Sequence, residues 1–160
     1  MKDDSRSVMD SLRLIVRDLR VGAREVERAA GVTGAQLFVL HQLAGDRALS
    51  LSDLAERTKT DPSSVSAIVK RLVAARLIVR RASKEDARRA ELRLTPAGRR
   101  TIGRAPEPSQ TRLLAAVARL RARDLAALRK SLRALVREMG LDDEAAEMFF
   151  EDGPSRRRRH

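Results

Sequence analysis

Residues 49–95 read LSLSDLAERTKTDPSSVSAIVKRLVAARLIVRRASKEDARRAELRLT, and this stretch decides how the chain folds. Asp61 suits a helix N-cap, and Pro62 suits the first helical position, where its missing N–H costs nothing. Val65, Ile68, Val69, Leu72 and Val73 then recur at helical spacing and predict one apolar face on a helix over residues 62–76. Ser63, Ser66, Ala67, Lys70 and Arg71 fall on the other side, which is small, polar and positive and carries no acid. At 1.5 Å per residue the helix is ~22 Å long, enough to cross a groove of a polyanionic duplex.

Working outward, residues 52–58 predict a shorter helix. Ser52 and Glu56 bracket its start, with Ser50 also available as a cap, and Leu51, Leu54 and Ala55 supply its buried side. The connection Lys59-Thr60-Asp61 is short. Two helices joined this way form either an ordinary helical hairpin or a helix-turn-helix, whose second helix enters the DNA major groove. The downstream residues decide between them. Residues 77–81 read as a strand, residues 91–95 alternate polar and apolar as a half-buried strand does, and the loop 82–90 between them is basic. A helix-turn-helix followed by a basic hairpin is a winged helix, its tip reaching an adjacent minor groove or backbone where arginine is favoured. Pro96 then opens a new helix behind Thr95.

These residues carry a family resemblance. The wing Asp86-Ala87-Arg88, the following Leu94-Thr95-Pro96-Ala97-Gly98 and the preceding SLSDLAERTKTDPSSVSAIVKRLVAARLI resemble the MarR family, which are dimeric bacterial winged-helix transcription regulators. The segment VTGAQLFVLHQLA, residues 32–44, resembles the helix that precedes the DNA-binding helices in that family. The resemblance covers about residues 8–139. The helix-turn-helix part is shared with many regulators, whereas the wing motif with helices at both ends is far more specific.

The flanks fit this frame. Residues 1–6 are polar and expected to fray. From Ser7 a helix is expected, with Val8, Leu12, Ile15, Val16, Leu19 and Val26 on its apolar side, Gly22 interrupting without stopping it, and a break between Gly31 and Gly34. Thr33 caps the next helix, in which Leu37, Phe38, Leu40 and Leu43 face inward, and residues 47–49 have the place of a short edge strand on the wing sheet. Pro106 and Pro108 should break the helix that begins at Pro96. Leu113, Leu114, Val117 and Leu120 mark a second helical piece. Leu125, Leu128, Leu132, Leu135, Val136 and Met139 then form a one-sided stripe closed by Gly140. A chain this short has few places to hide apolar stripes at both ends, so the first and last helices are expected to build a dimer interface, as they do in the resembled family. The expected fold is mainly α with a small β-hairpin wing. A winged-helix domain with dimerisation helices would cover 7–139, its DNA-binding core 48–95. Residues 140–160 would hold an acidic segment, a short helix packed on the dimer region, and a partly disordered basic tail.

Composition bounds the chemistry. At 160 residues with 42% hydrophobic but 2% aromatic side chains, the core must be aliphatic, which suits helices. The absence of Cys excludes disulfide and thiolate chemistry. No nucleophile elbow, phosphate loop or zinc pattern is present, so neither an enzyme nor a cofactor or metal is expected. With no membrane-length apolar run and no signal-peptide pattern, the expected location is cytoplasmic. The formal charge is +12, and residues 49–104 alone hold 14 basic and 6 acidic side chains, against 8 and 7 in residues 1–48. The positive field thus lies where the helix-turn-helix and wing lie, the footprint of nucleic-acid binding. An acidic-lipid surface is set aside because the basic residues do not share one amphipathic helix with large apolar residues opposite.

The expected DNA contacts follow. Pro62 starts the recognition helix, Ser63, Ser64 and Ser66 contact phosphates and base edges near its N-terminus, and Lys70 and Arg71 contact backbone or guanine. Ser52 offers a phosphate contact from the preceding helix. The resemblance assigns Arg88 to the wing tip and the minor groove, with Asp86 orienting it and Lys84 and Arg89 adding phosphate contacts. A two-fold dimer would read a pseudo-palindrome in double-stranded DNA, with half-sites ~10 bp apart. The resemblance further implies regulation, commonly repression released by a small anionic aromatic ligand, for which Arg13, Arg17, Arg20 and His41 are the candidate polar groups. His41 also reads as an ordinary half-exposed helix residue. The alternative is a winged-helix protein that binds DNA as an architectural or partner-recruiting factor without sensing a ligand.

Overall fold

A computed structural model of the chain describes residues 2–45, 48–82, 90–142 and 148–149. Helix α1 spans Lys2–Ala30 and runs through Gly22 without a break. It starts well before Ser7, contrary to the fraying expected there. Asp3 and Asp4 sit in its first turn, where carboxylates complement the positive end of the helix dipole. Helix α2, Gly34–Gln42, is capped reciprocally by Thr33 and Gln36, as its sequence asked. Helices α3 (Leu51–Thr58) and α4 (Pro62–Ala74) follow, then strands β1 (Ile78–Ala82) and β2 (Ala90–Leu94). Helices α5 (Pro96–Arg104), α6 (Ser109–Ala118) and α7 (Ala122–Glu138) complete the order, with the break between α5 and α6 at the two prolines.

The strands pair antiparallel from Ile78 opposite Leu94 to Ala82 opposite Ala90. Leu49 adds the expected edge as a single bridge, exchanging backbone hydrogen bonds with Leu92 at 2.8 and 3.4 Å. The core lies where α2, α3 and α4 meet the base of this hairpin. Phe38, Leu40, Leu54, Val65, Ile68, Leu72 and Ile78 are its fully buried centre. A smaller cluster of Val26, Val32 and Leu37 ties α1 to α2.

The ends of the chain behave differently. Leu19 and Val26 of α1 are buried, but Val8, Ile15 and Val16 are exposed. On α7, Leu125, Leu128, Leu132, Leu135 and Met139 are all exposed as well, and α7 buries no residue. Opposite that stripe, at the same helical period, stand Arg123, Lys130, Arg133 and Arg137. The reason given for setting aside an acidic-lipid surface therefore does not hold for α7, which does carry cations opposite large apolar residues. No helix among the described residues is long and apolar enough to cross a membrane. The acidic segment is also placed differently from expectation. Met148 packs into the core cluster of α2, α3 and α4 rather than on the terminal helices, and Gln110 Nε2 donates to the Phe149 carbonyl oxygen at 2.9 Å. The remaining residues of the proposed helix and tail, 143–147 and 150–160, lie outside the described residues.

Candidate nucleic-acid interface

Helix α3 is capped by Ser50, not by Ser52. Ser50 Oγ accepts the Asp53 N–H at 3.1 Å, while the Asp53 carboxylate takes the Ser50 N–H at 2.9 Å. The sequence carries the signal as a capping box with Asp in place of the usual Glu or Gln at the third position. Ser52 is left exposed in the first turn, free to face a phosphate. The turn to α4 closes with Lys59 in the left-handed region at φ 53°.

At its start α4 is capped by Asp61, which accepts the Ser63 N–H at 2.8 Å and the Ser63 hydroxyl at 2.5 Å. At its end the Leu77 N–H returns to the Leu72 carbonyl and the Arg76 N–H to the Val73 carbonyl, a Schellman closure. Arg76 takes the left-handed conformation there, φ 58°, where glycine is usual. The helix thus stops at Ala74, two residues short of the expected end. Val65, Ile68, Val69 and Leu72 are buried as the spacing predicts, but Val73 is 39% exposed at the rim of the face.

The outward face holds Pro62, Ser63, Lys70 and Arg71, all exposed, with Ser66 and Ala67 half-buried between them. Ser64 is the exception. It is 7% exposed and turned into the core beside Val65, so it cannot reach a groove. It stands one turn before Ile68 on the same side of the helix, a spacing that its polarity hid. The hairpin is anchored to the rest by Thr95, whose hydroxyl donates to the Arg76 and Leu77 carbonyls at 2.8 and 3.0 Å and accepts the Gly98 N–H at 3.0 Å. Arg80, Arg81 and Arg93 are exposed along the described strands. The wing tip itself, with Lys84, Asp86, Arg88 and Arg89, lies outside the described residues.

The four candidate ligand residues are spread over α1 and α2. Arg13 is exposed and ion-paired with Asp10 at 2.7 Å, and Arg17 and Arg20 are exposed on α1. His41 is half-buried on α2 with its Nε2 unpartnered. Burial holds its imidazole below the usual range, with Glu107 pulling the other way. A largely apolar opening of about 250 Å³ lies elsewhere. It runs between the α3–α4 turn and α6 and is lined by Phe38, Lys59, Thr60, Leu114, Met148 and Phe149 among others. None of the four residues lines it. Among the described residues no cluster of His, Asp and Glu is placed to hold a metal ion.

Known proteins share both sequence and fold with this chain. Residues 30–89 match the sequence model of the MarR family. The HTH-type transcriptional repressor MdtR of Bacillus subtilis (strain 168) is 36% identical over 88 residues, or 55% of this chain. The match spans 57% of that relative, little more than half its length. A solved MarR family transcription regulator is 25% identical with a TM-score of 0.58, covering 90% of this chain and 96% of that one. A mutant of MepR from S. aureus, bound to an oligodeoxyribonucleotide, is 19% identical with a TM-score of 0.50, covering 82% of this chain and 97% of that one, a likeness of fold. Residues 30–89 are thus similar to the MarR family in sequence, and the winged-helix fold around them is similar to that of a solved MarR family transcription regulator.

Proposed function

We propose that the protein is a cytoplasmic, homodimeric, sequence-specific DNA-binding transcription regulator, and that it acts as a repressor released by a small anionic aromatic effector. The observation that carries this reading is α4. Its apolar side is locked in the core, and its outward side offers only small polar and cationic groups beside a basic hairpin. Such a surface fits a major groove and neutralises phosphates, which supplies much of the affinity. Named relatives support it, one being called a repressor and another of the same fold being bound to an oligodeoxyribonucleotide. Ser52, Ser63, Ser66, Lys70 and Arg71 are the proposed contacts from the helices. Lys84, Arg88 and Arg89 are those from the wing, with Asp86 orienting Arg88.

The dimer would span 7–139, with 48–95 as its DNA-binding core, and would cover the exposed stripes of α1 and α7. The effector site moves from the arginines of α1 to the apolar opening beside the α3–α4 turn, where Lys59 is a cation for a carboxylate. A ligand there would bear on the placement of α4 and shift the population of DNA-competent dimers. The test is fluorescence anisotropy of duplexes enriched from a randomised pool, titrated with the full chain at rising salt. Tight, salt-dependent binding to a pseudo-palindrome supports the reading, and no binding to any duplex ends it. A thermal-shift screen with phenolic acids then decides between a sensor and a non-sensing architectural protein, since a ligand of the folded state raises its melting temperature.

A further inference from the structure

We propose that the Asp61 carboxylate, together with the Ser63 hydroxyl it holds, is a base-reading pair that accepts the exocyclic amino group of cytosine or adenine in the major groove. The inference rests on the reading of α4 as the helix that enters DNA.

The first turn of α4 has no N–H left to offer a phosphate. Pro62 has none, the Ser63 N–H goes to the Asp61 carboxylate at 2.8 Å, and the Val65 N–H goes to the Asp61 carbonyl at 3.2 Å. Ser64 is buried. The attraction of a helix N-terminus for phosphate is therefore answered inside the chain, by an acid. Helix α3 also holds an acid in its first turn, Asp53, which accepts the Ser50 N–H and hydroxyl, but it keeps donors at its start. Ser50 Oγ accepts the Asp53 N–H, and among the described residues the N–H groups of Leu51 and Ser52 donate no hydrogen bond. Phosphate positioning belongs to α3, which leaves the tip of α4 for another partner.

That partner must be a donor. Ser63 spends its one hydroxyl hydrogen on Asp61, so only lone pairs face outward. Asp61 is fully exposed, and its carboxyl is held below the usual range, first by the Ser63 hydroxyl and then by the Ser63 N–H. It is ionised at neutral pH and accepts only. In the major groove, cytosine N4 and adenine N6 donate, whereas guanine O6 and N7 and thymine O4 accept and would be repelled. Capping alone does not call for this charge. Thr33 and Thr95 cap α2 and α5 with neutral hydroxyls, and at α3 the acid, Asp53, stands in the first turn behind the Ser50 cap, whereas at α4 the acid is the cap itself. An exposed acid beside DNA weakens general phosphate binding, so its value lies in discriminating between bases.

The experiment uses the full chain, the duplex it enriches from a randomised pool, and every single base-pair substitution of that site. Unsubstituted protein is compared with Asp61→Asn and Asp61→Ser, both of which keep a good N-cap. Melting curves confirm that each variant folds. The unsubstituted protein should lose about tenfold or more in affinity when one amino-bearing base per half-site is replaced. Asp61→Ser should lose most of that penalty at that one pair and keep the others, and Asp61→Asn, whose amide can both accept and donate, should shift the preference there toward adenine. They should also bind random duplex a few-fold more tightly, since a negative charge near phosphates is gone. The base found at that pair shows whether cytosine or adenine is read. Unchanged penalties at every pair in both variants would make Asp61 a cap only and overturn the inference. Tight binding by the unsubstituted protein without base preference would overturn it too, leaving DNA binding intact. No binding by the unsubstituted protein would remove the proposed function and this inference together.

Discussion

Gly98 carries the joint between the hairpin and α5. A Cβ there would sit 2.2 Å from the Leu77 carbonyl oxygen, a backbone atom that cannot swing away. Gly98→Ala should therefore cost about 1–3 kcal/mol, the range for overpacking a tight site, read as a lowered urea midpoint. His41 makes a second expectation. Its imidazole is depressed from 6.5 mainly by burial, with Glu107 opposing, so the folded chain binds fewer protons than the unfolded chain just below that pH. Stability should be fully present above about pH 6.5 and fall as pH drops through the folded value, and His41→Gln should flatten that fall. Single residues were the least legible part of the sequence. Ser64 reads as a DNA contact and is core, while Asp61 reads as a cap and is also an exposed acid at the tip of α4. Polarity reveals what a side chain can do, and only the helix phase against its neighbours reveals where it points.

Elements were far easier to read. The order of α3, turn, α4, hairpin and α5 follows from apolar spacing, two Pro-marked starts and one alternating strand, and the structure keeps all of them. Boundaries moved by a residue or two because caps decide them. Ser50 rather than Ser52 opens α3, and a left-handed arginine closes α4 where no glycine announced a stop. Within α4, Lys70 stands exposed on the outward face and is a phosphate contact in the proposed complex. Lys70→Ala should then weaken binding to all sequences alike and reduce the slope of log affinity against log salt by about one. An altered base preference with an unchanged slope would place Lys70 on a base instead.

The whole molecule poses one unmet need. Leu128 is 39% and Leu132 43% exposed on α7, while Val8 and Ile15 are bare on α1, and nothing among the described residues covers them. A stripe of this kind is costly to leave in water, and the two-fold pairing of the terminal helices proposed above would remove it. The sequence showed these stripes but could not say whether one chain would bury them, because that depends on how α1 and α7 fall relative to the core. Replacing Leu128 and Leu132 with Asp together should give a folded monomer whose affinity for a two-site duplex falls about 100-fold or more, as the linkage between half-sites is lost. The mass of the complex between the full chain and its enriched duplex, by sedimentation at rising salt, tests the account at its root. Two chains per duplex, released progressively as salt rises, is the predicted result, and a monomer with no salt-sensitive attachment to DNA would contradict it.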